Sequence, residues 1–146
     1  MGIDRVRTPR VATIDCDVLL HPKFVELLPN KSLFYKVATM HMTAIDGAQV
    51  FPKTVWEAVN GYNEFMDGWG FEEVDFHNRI DKGLVAAIVP YIDDTMAVHV
   101  PHSNALRGTT NLMGSVAKNV VVAMKTPWGP GIARTKYAIE EIKPCP

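Results

Sequence analysis

The spacing of hydrophobic residues along the chain predicts alternating strands and helices. Residues 10–18 are rich in β-branched apolar residues, which predicts a buried strand with Asp15 and Asp17 at its end. Proline at a first turn and glycine after a last turn mark several helices. Predicted strands cover residues 10–18, 48–51, 84–91 and 96–100, predicted helices cover 23–28, 52–59, 71–82, 111–125 and 132–142, and residues 32–43 fit either structure. Strands that alternate with helices indicate an α/β fold with a thin sheet.

Composition and charge narrow the class of protein. The 146 residues are 47% hydrophobic and 21% charged, which predicts one domain over residues 1–146. A formal charge of −1 without a basic, aromatic-rich stripe argues against nucleic acid as a partner. The apolar runs are shorter than the ~20 residues of a membrane span, and the charged amino terminus is unlike a signal peptide. We therefore expect a cytoplasmic protein without a transmembrane segment.

A first candidate site combines carboxylates and imidazoles. Asp15 and Asp17 follow an apolar run, and carboxylates two residues apart at a strand end can hold one divalent cation. His99 and His102 lie at the end of another predicted strand, and either would complete such a site. Oxygen and imidazole ligands without thiolate suit Mn²⁺ or Mg²⁺ better than structural Zn²⁺. The alternative is that each histidine is a structural residue.

A second candidate site follows Gly68-Trp69-Gly70. Glycines let the backbone approach a ligand, and the indole of Trp69 offers a flat apolar face. Glu72 and Glu73 come next, in the first turn of a predicted helix, where a carboxylate would be held rigidly. The alternative interpretation is a surface helix whose acids only interact with the helix dipole.

Three motifs in one order resemble those of GT-A glycosyltransferases. The central run, Trp56–Ile80, resembles the family's GG(F/Y)-(D/N)-E-x-F-x-G-W-G-x-E-D-x-(D/E)-…-R block. Its middle part reads Gly61-Tyr62-Asn63-Glu64-Phe65-Met66-Asp67-Gly68-Trp69-Gly70-Phe71-Glu72-Glu73. Upstream, Asp15-Cys16-Asp17 resembles the family's DxD motif, and downstream Met96 and His99 resemble a galactosyltransferase Met-x-x-His. The similarity extends to β-1,4-galactosyltransferases, polypeptide N-acetylgalactosaminyltransferases and chondroitin-polymerase-type enzymes.

The resemblance implies a role for each matching residue. Asp15 and Asp17 would hold Mn²⁺ or Mg²⁺ against a nucleotide-diphosphate sugar, with His99 as third ligand and His102 as the fallback. Glu73 stands where inverting members have an aspartate general base. The acceptor sugar would contact Glu72, Trp69 and Tyr62, and the donor would contact Trp69 and Gly70 besides the aspartates. The implied function is metal-dependent transfer of a sugar, with UDP as the expected carrier, to a hydroxyl of a carbohydrate or glycoconjugate.

The resemblance also implies a partial GT-A fold, with a small mixed sheet flanked by helices. It covers the carboxyl-terminal half of the family's domain, and the amino-terminal nucleotide-binding half has no counterpart before Asp15. A truncated copy, a split enzyme and a compact relative are all compatible with this. An open edge on the strand at residues 10–18 would then favour a homo-oligomer or a complex with the missing half.

Two other classes of function compete with the transferase. The chain could be a non-catalytic, carbohydrate-binding remnant that has lost donor binding. Phosphatases of the haloacid-dehalogenase type also place Asp-x-Asp after an apolar strand, and Asp93-Asp94 would supply their later acidic pair. In that class, however, the Gly-Trp-Gly-acid block would have no function.

Overall fold

A computed structural model of the chain describes residues 2–28, 34–38, 48–83, 86, 88–92, 97–100, 112–126 and 128–133. Within these ranges the strands are β1 (Arg10–Ile14), β2 (Val18–Leu20), β3 (Phe34–Ala38), β4 (Ala48–Pro52), β5 (Ile88–Ile92) and β6 (Ala97–His99). The helices are α1 (Phe24–Leu27), α2 (Lys53–Ala58), α3 (Glu72–Lys82) and α4 (Leu112–Lys125), preceded by a 3-10 helix at Gly2–Arg5. None of the helices described is both long enough and apolar enough to cross a membrane.

Most predicted elements are confirmed within a few residues. The helix predicted at 71–82 is α3, which begins after Phe71 and ends before Gly83. The strand predicted at 48–51 is β4, and the ambiguous stretch at 32–43 contains the strand β3. The tail helix predicted at 132–142 lies outside the described residues from position 134 onward.

The prediction of one continuous, buried strand at residues 10–18 is wrong. β1 ends at Ile14, and a tight turn follows, in which Val18 N donates a hydrogen bond to Asp15 O (3.1 Å). β1 and β2 therefore belong to different sheets, and Val11 is the one buried residue of β1. The pattern was misleading because alternating polar and apolar residues suit a strand and also suit two short strands joined by a turn.

The strands form one mixed sheet and one separate pair. In the larger sheet the order is β1-β4-β3-β5, with β4 antiparallel to both of its neighbours and β3 parallel to β5. β2 and β6 pair antiparallel in a second, two-stranded sheet. This arrangement is the small mixed sheet with helices that the sequence predicts.

The strand β4 is buried on both faces and fixes α3 in place. Successive residues of a strand point to opposite sides, so Val50 packs into one apolar cluster and Phe51 into another. Phe51 stacks on Phe34 with 5.1 Å between ring centroids, and Phe76 of α3 lies 5.6 Å from Phe51. Burial of an aromatic ring such as Phe76 contributes about 1.5–3 kcal/mol. These rings anchor the helix that carries Glu72 and Glu73.

Candidate active site

The pairing of β2 with β6 brings Asp17 next to His99. Val18 faces His99 in the register of the two strands, and Val100 N donates a hydrogen bond to Asp17 O (2.7 Å). The side chains meet with 3.3 Å between Asp17 Oδ2 and His99 Nε2, and about a fifth of each remains exposed, 20% and 19% respectively. Two of the three predicted metal ligands are therefore in direct contact.

Asp15 is not part of this contact pair. It lies at the start of the turn and is exposed. Across the described ranges no three His, Cys, Asp or Glu side chains come close enough together to hold a metal ion. The fallback ligand His102 and the acidic pair Asp93-Asp94 lie outside the described residues.

The Gly-Trp-Gly loop has an unusual backbone. Gly68, Gly70 and Phe71 have φ angles of 81°, 92° and 77°, all in the left-handed region. Glycine adopts this region at little cost, whereas for Phe71 it is uncommon. Asp75 N then donates to Phe71 O (2.9 Å), which starts α3 directly after the loop. Trp69 lies in the middle of this loop and is 38% exposed.

The helix α4 holds this loop from the other side. Ser115, Lys118 and Asn119 form hydrogen bonds with residues 67–70. None of these three residues is among the candidate site residues predicted from the sequence. The signal was present, because Asn119 is polar and lies three positions after Val116, on the apolar side of a predicted helix.

Glu73 lies in the first turn of α3, close to the half-buried Tyr62. Burial raises the pKa of the Tyr62 phenol well above its ordinary value of 10.0, and the negative charge of Glu73 raises it further. Glu72 acts on Tyr62 in the same direction but more weakly. The phenol beside Glu73 therefore stays neutral. The ring of Tyr62 packs edge-on against Trp56 and Phe76, with centroid distances of 5.2 and 5.0 Å.

A hydrogen-bond network connects Tyr62 with β1, β4 and α3. The phenol is hydrogen-bonded to Thr13 and accepts a hydrogen bond from Gln49 Nε2 (3.4 Å). His77 Nε2 lies 2.9 Å from Gln49 Oε1, an oxygen that can only accept, so His77 donates. Thr13 precedes Asp15 by two residues. The network thus links the strand before the Asp-x-Asp turn to the helix that carries Glu73.

A groove of about 450 Å³ lies on another side of α3, lined in part by Asp75, Arg79 and Trp128. Arg79 forms an ion pair with Asp75 (2.9 Å), and burial lowers the pKa of the guanidinium while Asp75 acts in the opposite direction. Each residue of a helix advances about 100° around its axis, so Asp75 and Arg79 face away from Glu73. The groove therefore lies on the opposite side of α3 from Glu73, although Phe71, the neighbour of Glu72, also lines it.

Residues 34–103 match a family model described as the N-terminal domain of galactosyltransferase. The match includes the Gly-Trp-Gly loop, both glutamates and His99, whereas Asp15 and Asp17 precede it. No curated protein matches the chain.

The small mixed sheet with its helices, together with this match, is consistent with a partial GT-A-like domain. The chain is galactosyltransferase-like over the matched residues, as the motifs indicated, and the family supports glycosyltransferase activity in general. Correspondence to the carboxyl-terminal half of a longer domain stays a prediction.

Proposed function

We propose that the chain is a metal-dependent glycosyltransferase that moves a sugar from a nucleotide-diphosphate donor, a UDP-sugar in the first instance, to a hydroxyl of a carbohydrate or glycoconjugate. The observation that carries the proposal is the contact of Asp17 with His99 in a galactosyltransferase-like domain. These two residues are far apart in the sequence, and they match the two ends of the family's metal-binding pattern. The family match supports nucleotide sugars and carbohydrates as substrates.

The proposed metal ligands are Asp17 and His99, with Asp15 as the third. A carboxylate and an imidazole already in contact suit Mn²⁺ or Mg²⁺, and Asp15 lies two residues before Asp17. A divalent cation there would supply positive charge to stabilise the departing diphosphate.

Glu73 is the proposed general base, which takes the proton from the attacking hydroxyl of the acceptor. A base must be held within ~3 Å of that hydroxyl, and the first turn of α3 is a rigid support for it. Glu72 would bind acceptor hydroxyls. One of its carboxylate oxygens is buried and has no hydrogen-bond partner among the described residues, and a buried acceptor without a partner costs about 1–3 kcal/mol. A donor group from an acceptor sugar would remove that cost.

Trp69 and Gly70 complete the proposed substrate contacts. The indole of Trp69 is partly exposed on a loop beside the two glutamates, where a sugar ring can lie against it. Gly70, directly after Trp69, would contact the donor through its backbone. Tyr62 stays neutral near Glu73, so the phenol itself adds no negative charge there.

The test is a transfer assay with the full chain, a panel of UDP-sugars, free glycosides as acceptors, and Mn²⁺. We expect metal-dependent transfer that Asp17→Asn reduces at least tenfold, with Asp81→Asn, an exposed acid at the other end of α3, as the matched control. Hydrolysis of simple phosphate esters in place of UDP-sugars would support the phosphatase alternative. Sugar binding without transfer or UDP-sugar hydrolysis would support the non-catalytic alternative, and either result would overturn the proposal.

Titration with Mn²⁺ tests the ligands separately from turnover. Asp17→Ala and His99→Ala are each expected to weaken Mn²⁺ binding by tenfold or more, measured by calorimetry. Intact binding in His99→Ala combined with lost binding in His102→Ala would replace His99 by His102 as the imidazole ligand.

A further inference from the structure

The polar residues of α4 hold the backbone on both sides of Trp69. Asn119 accepts a hydrogen bond from Asp67 N at its Oδ1 (3.1 Å) and donates from its Nδ2 to Gly70 O (2.8 Å). Its side chain is almost completely buried, with 1% exposure. One amide therefore bridges the residue two positions before Trp69 and the residue directly after it.

Ser115 holds Trp69, which lies between Asp67 and Gly70. Its Oγ accepts a hydrogen bond from Trp69 N (2.7 Å) and donates one to Asp67 O (3.3 Å). The approach is close, because a Cβ added to Gly68 would lie 2.3 Å from Ser115 Oγ. The backbone of Trp69 is thus fixed by a side chain from an element far away in the sequence, while its indole remains partly exposed.

Lys118 contacts the same loop through an exposed ion pair. Its Nζ lies 2.7 Å from Asp67 Oδ2, and both side chains are largely exposed. The lysine lowers the pKa of Asp67, yet exposed ion pairs contribute little to stability because water and salt screen them. Lys118 therefore serves as a matched control on the same helix and the same loop.

We propose that α4 is the element that positions Trp69 for its sugar ligand, and that Ser115 and Asn119 are positioning residues that act through the loop 67–70 without touching substrate. The inference rests on the proposed function of Trp69 as a sugar contact. A flat apolar face binds a sugar ring only at a defined angle and depth, so loss of the two α4 contacts weakens acceptor binding before it affects the chemical step.

The experiment compares Ser115→Ala and Asn119→Leu with Lys118→Ala in the full chain. We expect the KM for the acceptor to rise about tenfold in the first two variants while kcat changes by less than about threefold; Lys118→Ala stays within twofold of wild type. A merely structural role would lower the folded fraction, which lowers kcat and leaves the acceptor KM unchanged. Should Asn119→Leu fail to fold, Ser115→Ala, at a half-buried position, still gives the test.

A second measurement separates this inference from the proposed function. The protein is titrated with methyl glycosides of common hexoses and N-acetylhexosamines while its tryptophan fluorescence is recorded. The change in fluorescence that is lost in Trp69→Phe is assigned to Trp69. If wild type binds glycoside with this signal but transfers no sugar, the transferase proposal fails, and a tenfold weaker binding in Ser115→Ala still supports the inference. Unchanged KM and unchanged glycoside affinity in folded Ser115→Ala and Asn119→Leu overturn the inference alone. A wild-type protein that neither transfers sugar nor shows this signal overturns both.

Discussion

Glu72 and Glu73 are neighbours in the sequence, but their surroundings differ. Glu73 is the stronger of the two negative charges that act on Tyr62, whose phenol is hydrogen-bonded to Thr13 and Gln49. Glu72 has a buried oxygen without a hydrogen-bond partner in the described ranges. Adjacent residues of a helix point about 100° apart, which allows one carboxylate to serve as base and the other to bind acceptor hydroxyls.

Replacement of Glu73 by Gln is expected to reduce transfer by ~10²–10⁴, because a general base contributes that factor to turnover. Mn²⁺ and donor binding should survive, since Glu73 is not a proposed ligand of either. Steady-state kinetics with Glu72→Gln as the companion variant provide the comparison, with an expected rise in the acceptor KM. Normal transfer by Glu73→Gln together with inactive Glu72→Gln would exchange the two roles, and two active variants would make the acidic turn a structural feature.

Tyr62 should make the protein sensitive to alkaline pH. Its folded-state pKa lies above the unfolded value of 10.0, so above about pH 10 the unfolded chain releases a proton that the folded chain keeps. The stabilisation is complete below pH 10 and decreases as pH rises, at up to about 1.4 kcal/mol per pH unit. Tyr62→Phe lacks this dependence, so the difference in unfolding free energy between the two proteins should shrink from pH 9 to pH 11 in urea titrations. Parallel curves over that range would show that the phenol ionises as freely in the folded protein as in the unfolded one.

The helix α4 packs closely against the loop between α2 and α3. Gly70 has a left-handed backbone, and a Cβ there would lie 2.7 Å from Val116 Cγ2. Gly131 has a similar φ of 89° but no described atom within 4 Å of an added Cβ, and Gly129 has neither constraint. Alanine substitutions at these three glycines therefore distinguish the cost of backbone strain from the cost of steric overlap.

Gly70→Ala should therefore be the most destabilising of three alanine substitutions. Gly131→Ala should cost about 1–2 kcal/mol from the left-handed backbone alone. Gly70→Ala should add ~1–3 kcal/mol for overlap with α4, and Gly129→Ala should change stability by less than about 1 kcal/mol. Urea unfolding of the three variants measures these differences. Equal effects of Gly70→Ala and Gly131→Ala would mean that α4 does not approach the loop closely in solution.

In the larger sheet as described, β1 is an edge strand that pairs with β4 on one side. Ile14 at its end is 44% exposed, next to the Asp-x-Asp turn. Edge strands offer unpaired backbone groups to a second chain. The strand that the sequence predicted to have an open edge therefore includes β1, an edge strand of the sheet as described.

Association through this edge is a prediction for the full chain in solution. Light scattering at increasing concentration should give the mass of a homo-oligomer, or of a complex when a partner polypeptide is present. Ile14→Lys should reduce the association, because charged residues on an edge strand oppose pairing. A sharp monomer at high concentration that binds no hydrophobic dye would contradict the prediction.

Much of the fold could be predicted because local patterns decide it. Pro52 and Gly83 are typical of helix boundaries and lie at the start of α2 and the end of α3. The acids in the first turn of α3 interact favourably with the helix dipole wherever the helix lies. Helical spacing likewise identified α4, since it requires only residues within the same segment.

The sequence alone thus determined the helices, most strands, and which residue types could carry chemistry, because those properties depend on neighbours along the chain. The tertiary structure decided that the chain turns at Asp15, that Asp17 meets His99, and that Asn119 holds the loop around Trp69. The last two contacts join segments that are distant in sequence, and the turn at Asp15 separates strands that pair in two different sheets. A periodic pattern reports which face of a segment is apolar without specifying the partner against which it packs.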